Sequence, residues 1–91
     1  MKVVINSCFG GFSLSGFAVE KLGLDSPYAS VERTNPMLIS LVEMFGSEMC
    51  SGSCAELEVV TLPAKITDWM ISEYDGLESV IYVVDGKLYT R

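Results

Sequence analysis

Leu38, Leu41, Val42 and Phe45 recur at the i, i+3, i+4, i+7 spacing that puts four apolar side chains on one face of an α-helix. Asn35 is a good cap for such a helix, Pro36 suits its first position and Gly46 closes it. Met37, Ile39 and Met44 widen the stripe, so a well-buried helix over 36–45 is predicted. A shorter helix is expected over about 16–22, capped by Ser13 or Ser15 and ended by Gly23, with Phe17, Ala18 and Leu22 towards a sheet. Elsewhere the pattern is that of strands. Lys2-Val3-Val4-Ile5-Asn6-Ser7 is a β-branched run suited to a buried strand, and Leu57-Glu58-Val59-Val60-Thr61-Leu62 reads as another, stopped by Pro63.

Two Asp-Gly pairs organise the C-terminal third. Asp75-Gly76 and Asp85-Gly86 each lie between β-prone segments, and a type I′ turn needs positive φ at both of its central residues. The expectation is a three-stranded antiparallel meander, with a helix over 67–74, capped by Thr67 or Asp68, as the competing reading of its first segment. Leu24 to Thr34 and the polar stretch Ser47 to Ser53 are read as loops. Repeats, linkers and low-complexity tracts are absent. The chain is therefore expected to be a single α+β domain over 1–91. Its small antiparallel sheet, formed by the N-terminal strand and the C-terminal β-meander, packs with one or two helices.

Composition narrows the chemistry. The apolar fraction of 49% supports a true core, yet no apolar run approaches the roughly 20 residues of a membrane helix. The start of the chain is too short in apolar residues for a secretion signal. Cys8, Cys50 and Cys54 are an odd set, which fits a reducing compartment, so a cytoplasmic protein without membrane association is expected. Histidine is absent altogether. That removes Ser-His and Cys-His dyads and the usual general base at neutral pH, so no enzyme and no catalytic residue are expected. The net charge of −6 lies wholly in residues 43–91, where nine acids face three bases. An acidic half of this kind is poorly suited to hold a phosphate backbone, so direct nucleic-acid binding is not expected, whereas a basic protein partner would be steered towards it. Net charge that merely keeps a small protein soluble is the plainer alternative.

Three segments are candidates for a site. Asn6-Ser7-Cys8-Phe9-Gly10-Gly11-Phe12 leads from a strand through paired glycines towards a helix N-terminus, a place where backbone N–H groups can meet an anion or a partner. It lacks the lysine of a P-loop and the third glycine of a dinucleotide fingerprint. Cys8 would be a nucleophile there only with an unusual activator, and a structural turn holding a small buried thiol is the plainer reading. Cys50-Ser51-Gly52-Ser53-Cys54 has the wrong spacing for a zinc ribbon and no second ligand pair, so neither metal nor cofactor is expected. Glu73, Asp75 and Glu78 gather around the first Asp-Gly turn beside Tyr74 and near Trp69. They are either plain solvated acids or an acidic, aromatic patch that docks on a basic partner.

Two stretches resemble a known family. Lys2-Val3-Val4-Ile5-Asn6-Ser7-Cys8-Phe9-Gly10-Gly11-Phe12, followed by Leu14-Ser15, is similar to the opening of a family of short bacteriophage- and prophage-encoded proteins. Trp69-Met70-Ile71-Ser72-Glu73-Tyr74-Asp75-Gly76-Leu77-Glu78 is similar to that family's C-terminal signature. The two cover about a quarter of the chain, in matching order. Ser79 stands where family members carry an aromatic, and Lys87-Leu88-Tyr89-Thr90-Arg91 replaces a more basic, aromatic tail. The resemblance implies a phage accessory protein and carries no catalytic residue with it. Phage proteins of this size and acidity often antagonise host immune factors, including CRISPR machinery. The expected function is thus inhibition of a host protein or nucleoprotein with a basic surface, through Trp69, Glu73, Tyr74, Asp75 and Glu78. A nucleotide-signal binder using the loop 6–15 is the alternative. The broad apolar face of the 36–45 helix could also join two copies of the chain.

Overall fold

Both helices and all three strands of the meander occur in the computed structural model, which describes residues 1–91. The order is β1 (Lys2–Asn6), α1 (Gly16–Leu22), α2 (Pro36–Cys50), β2 (Leu57–Thr61), β3 (Asp68–Tyr74), β4 (Leu77–Val84) and β5 (Lys87–Thr90). This is an α+β fold, and residues 68–74 form a strand rather than the competing helix. No helix is long and apolar enough to cross a membrane.

Local chemistry explains most of the boundaries. Ser15 Oγ accepts the Ala18 N–H at 3.1 Å at the start of α1, and Gly23 ends that helix in the left-handed region at φ 68°. Asn35 Oδ1 accepts the N–H groups of Met37 and Leu38 at the start of α2. Asp75 and Asp85 both sit at φ 51° with their glycines at φ 90° and 76°, which gives the two-residue turns joining β3 to β4 and β4 to β5.

Gly46 breaks α2 without ending it. Its φ of 85° and ψ of 165° interrupt the helix, and another turn then runs to Cys50. The expected loop over Ser47 to Ser53 is helical in its first half for that reason. Ser47 O accepts the Ser51 N–H at 2.8 Å, and the buried Cys50 thiol reaches Leu41 O at 3.3 Å and pins the extra turn to the first part of α2. Burial also pushes the Cys50 thiol pKa up. A side chain at 46 meets no neighbour, so only backbone strain opposes it. Gly46→Ala is expected to cost about 1–3 kcal/mol in urea denaturation. A neutral result would mean that the kink relaxes into a straight helix.

The strands fall into two antiparallel sheets, β1–β2 and β3–β4–β5, so the N-terminal strand and the meander do not share one sheet. The free edge of β1 is already occupied. Val4 N–H donates to Arg33 O at 2.9 Å, and Asn6 N–H donates to the Glu78 carboxylate at 2.8 Å. The β1–β2 ribbon is instead the middle of three layers. Val3, Ile5, Val60 and Leu62 turn to the meander and meet Val80 and Tyr82, while Val4 and Leu57 turn to Leu14, Ala18, Leu38, Leu41 and Val42 on the helical side. The period-2 alternation of strand side chains supplies both faces.

The helices are less buried than the stripe predicts. Leu38, Leu41 and Val42 are in the core, but Met37, Met44 and Phe45 are 56%, 74% and 44% exposed. Only one side of α2 rests on the ribbon, and α1 covers one flank. Phe17 packs edge-on against Phe45, with ring centroids 5.0 Å apart, at the margin of the core between ribbon and helices.

Candidate functional site

The two stretches singled out in the sequence, 6–12 and 73–78, meet in space. Asn6 is fully buried and lies at their junction. Its side-chain amide donates to Cys8 O at 2.6 Å and to Gly76 O at 2.8 Å. Its Oδ1 accepts the Glu56 N–H at 2.7 Å and the Cys8 thiol at 3.4 Å. One side chain thereby ties the end of β1, the Gly-rich loop, the approach to β2 and the β3–β4 turn. The Cys8 thiol also reaches Cys54 O at 3.2 Å.

Two glycines make this docking sterically feasible. A Cβ on Gly10 would overlap the Cys54 carbonyl, and one on Gly76 would collide with Phe9 O and Gly11 N. Gly10 and Gly76 therefore serve chain-on-chain packing, whereas Gly11 meets no neighbour and supplies a positive φ of 86°. Ser7 is bound into the same layer through Glu56 O, at 2.8 Å from its N–H and 3.0 Å from its hydroxyl. Gly10→Ala is expected to cost at least about 3 kcal/mol, because the clashing group is backbone and has no rotamer through which to escape. Thermal unfolding checks this, and a shift in Tm below about 2 °C would show the loop to be loosely held.

The acids around the turn divide into two kinds. Glu73 and Asp75 point to solvent with Tyr74, which is 77% exposed, and Glu73 Oε2 accepts the Gly76 N–H at 2.5 Å. Glu78 does not join them. It is 9% exposed and receives both Arg33 guanidinium nitrogens, at 2.6 and 2.9 Å, as well as the Asn6 N–H. Arg33 in turn lies 3.6 Å over the Phe12 ring. Glu78 is thus part of the interior, and the expectation of a solvated or partner-facing acid there is corrected. The physical reason is strand parity: Glu78 alternates with the inward Val80 and Tyr82 on β4. Trp69 is also drawn inward. It sits opposite Tyr82 and packs on the meander-side core, away from the turn.

Phe9, which the sequence placed in the loop, is 61% exposed, and its carbonyl rests on Gly76. Phe9, Glu73, Tyr74 and Asp75 are therefore the exposed residues around a turn whose Gly76 carbonyl is held by Asn6, with Glu73 and Tyr74 on opposite faces of the hairpin. No cluster of three or more His, Cys, Asp or Glu side chains is placed to hold a metal. No family model matches the chain, and neither curated proteins nor solved structures are significantly similar to it.

Proposed function

We propose that this chain is a binding protein that inhibits a host factor of a bacterium. It would grip a basic protein or nucleoprotein surface through the acidic, aromatic group at the β3–β4 turn. The observation that carries this reading is the exposed set Phe9, Glu73, Tyr74 and Asp75 on a turn fixed by Asn6 and Gly76. Exposed aromatics on a rigid support are good anchors, since they bury area at little cost in conformational entropy. The acids around them would steer a basic partner.

The likeness of the two end segments to bacteriophage proteins supports a phage accessory role in the host cytoplasm, with defence machinery such as CRISPR effectors as the favoured class of target. A nucleotide-binding use of the loop has less support, because Asn6 and Gly10 are spent on internal packing.

The test removes the two exposed charges while preserving shape. Glu73→Gln with Asp75→Asn keeps side chains suited to the turn, whereas reversing the charge of Glu78 would disrupt the core. A tagged chain is expected to capture a basic host protein from bacterial lysate at low salt and release it at high salt. With the captured protein in purified form, the double variant should associate several-fold more slowly. An unchanged association rate would eliminate the acidic turn as the docking face.

A further inference from the structure

β4 is apolar on both of its faces. Val80, Tyr82 and Val84 point to the ribbon, while Ile81 and Val83 lie on the opposite side and belong to neither core. The strand pairing sets Met70 beside Ile81 and Leu88 beside Val83 on that outer side. Met70 and Leu88 are 58% and 73% exposed. An antiparallel sheet with one wet face ordinarily alternates apolar inward and polar outward, whereas a continuous apolar run marks a strand covered on both sides. Val80-Ile81-Tyr82-Val83-Val84 is such a run, yet only its inner side is covered.

Shape and charge indicate what covers the other. Met70, Ile81, Val83 and Leu88 border a hollow of about 160 Å³, with Asp68 and Trp69 completing its lining. A cavity of about 150 Å³ accepts benzene, so this one has room for one apolar side chain. The projecting Leu88 is such a side chain, and it lines the hollow itself. Knob and hollow on one surface suit a two-fold contact between identical chains, because each copy then fills the other. The chain carries −6, but Asp68 is the one charged residue among the outward positions of the three strands. The exposed Met44 marks the other apolar candidate, on α2, but that helix carries exposed Glu43 and Glu48, of which only Glu43 is paired, with Lys2. Two copies joined there would bring unneutralised acids together.

We infer that two copies of the chain pack outer side to outer side through the meander, around Met70, Ile81, Val83 and Leu88. Each Leu88 enters the hollow of the other copy, and opposed strand directions keep the two Asp68 carboxylates apart. From strand spacings the outer side measures about 24 by 14 Å, so the two copies bury on the order of 1,000 Å² in all, the lower limit for a specific interface. The dimer is accordingly weak and concentration-dependent. It does not depend on the partner proposed for the β3–β4 turn, and it presents that turn twice.

The test is sedimentation velocity on the full chain at concentrations from about 1 μM to 1 mM. The expected mass rises from one chain towards two. Because the contact is nearly uncharged and each copy is acidic, added salt should strengthen it, whereas salt loosens a basic partner. Met70→Thr with Leu88→Thr puts a residue suited to strands at both exposed positions. That pair should weaken association at least tenfold and leave the urea midpoint of the dilute chain in place. Met44→Gln on α2 should change nothing. Amide NMR shifts of the unaltered chain on dilution, a readout that needs no variant, should fall on Met70, Ile81, Val83 and Leu88 and their neighbours. The dimer should also persist in the Glu73→Gln, Asp75→Asn chain, so the failure of one reading leaves the other intact.

A chain that stays single up to about 1 mM would overturn the inference. So would a dimer that dissociates with Met44→Gln but not with the threonine pair, or dilution shifts confined to α2. If the unaltered chain is single and the threonine pair loses a captured host protein, the outer side belongs to that partner and not to a second copy.

Discussion

Asn6→Leu is expected to lower the free energy of unfolding by about 3–5 kcal/mol, although leucine branches at the same carbon as asparagine. The substitution removes no core volume. It orphans the carbonyls of Cys8 and Gly76 and the N–H of Glu56, all of which the Asn6 amide serves. A buried polar group left without its partner costs about 1–3 kcal/mol, and the partial exposure of Cys8 and Glu56 keeps the total below the sum of three full penalties. Against a net stability of about 5–15 kcal/mol, this is a large fraction. Urea denaturation measures it as a fall in midpoint at constant slope. Asn6→Asp supplies a second readout. It retains Oδ1 but points an oxygen at two carbonyl oxygens, so only the protonated acid fits, and its folded pKa lies above the unfolded value of about 3.9. The deficit relative to the parent chain should therefore be smallest below about pH 4 and grow as the pH rises through the folded pKa of the new acid. A difference in denaturation midpoint from the parent that stayed level from pH 3 to 7 would mean that water reaches the site.

Arg33→Ala is the other large effect. Glu78 would keep its place in the interior with only the Asn6 N–H to satisfy it, and a buried carboxylate deprived of its cation costs about 3–5 kcal/mol. The loss of the stack on Phe12 adds to this. The paired change Arg33→Met with Glu78→Leu should recover much of the loss, because no charge then remains to be desolvated. Recovery should be incomplete, since the Asn6 N–H and the Val4 carbonyl also lose a partner. A double-mutant cycle on the two positions isolates the coupling. A single Arg33→Ala loss below about 1 kcal/mol would show the ion pair to be as weak as a surface bridge.

These two positions mark the limit of what could be read from residue order. The Asp-Gly turns, the Asn35 and Ser15 caps and the Leu38–Val42 stripe depend on neighbours within a few residues, so their physics is written locally. Glu78 and Arg33 are 45 residues apart, and Asn6 and Gly76 are 70. Nothing near either member of a pair announces the other. One signal was available nonetheless: Glu78, Val80 and Tyr82 alternate, as do Trp69 and Ile71, and a strict period-2 reading places the acid and the indole on the inner face. The pull of an acid beside a turn obscured that pattern. The exposed methionines of α2 have the opposite cause, because helical periodicity fixes which residues share a face but not how much of that face a thin neighbour can cover.

The two-sided ribbon carries a consequence for synthesis on the ribosome. Its first strand is paired with Thr61 at one end and Leu57 at the other, so more than fifty residues must be made before β1 has a partner. At roughly 5–20 residues per second that wait lasts several seconds. Throughout it, Val3, Val4 and Ile5 are a sticky, unpaired segment with apolar groups on both sides. The meander, by contrast, closes from adjacent hairpins as soon as it emerges. A nascent chain of this design spends its most vulnerable interval before residue 61, and that interval is where a chaperone would have most to protect.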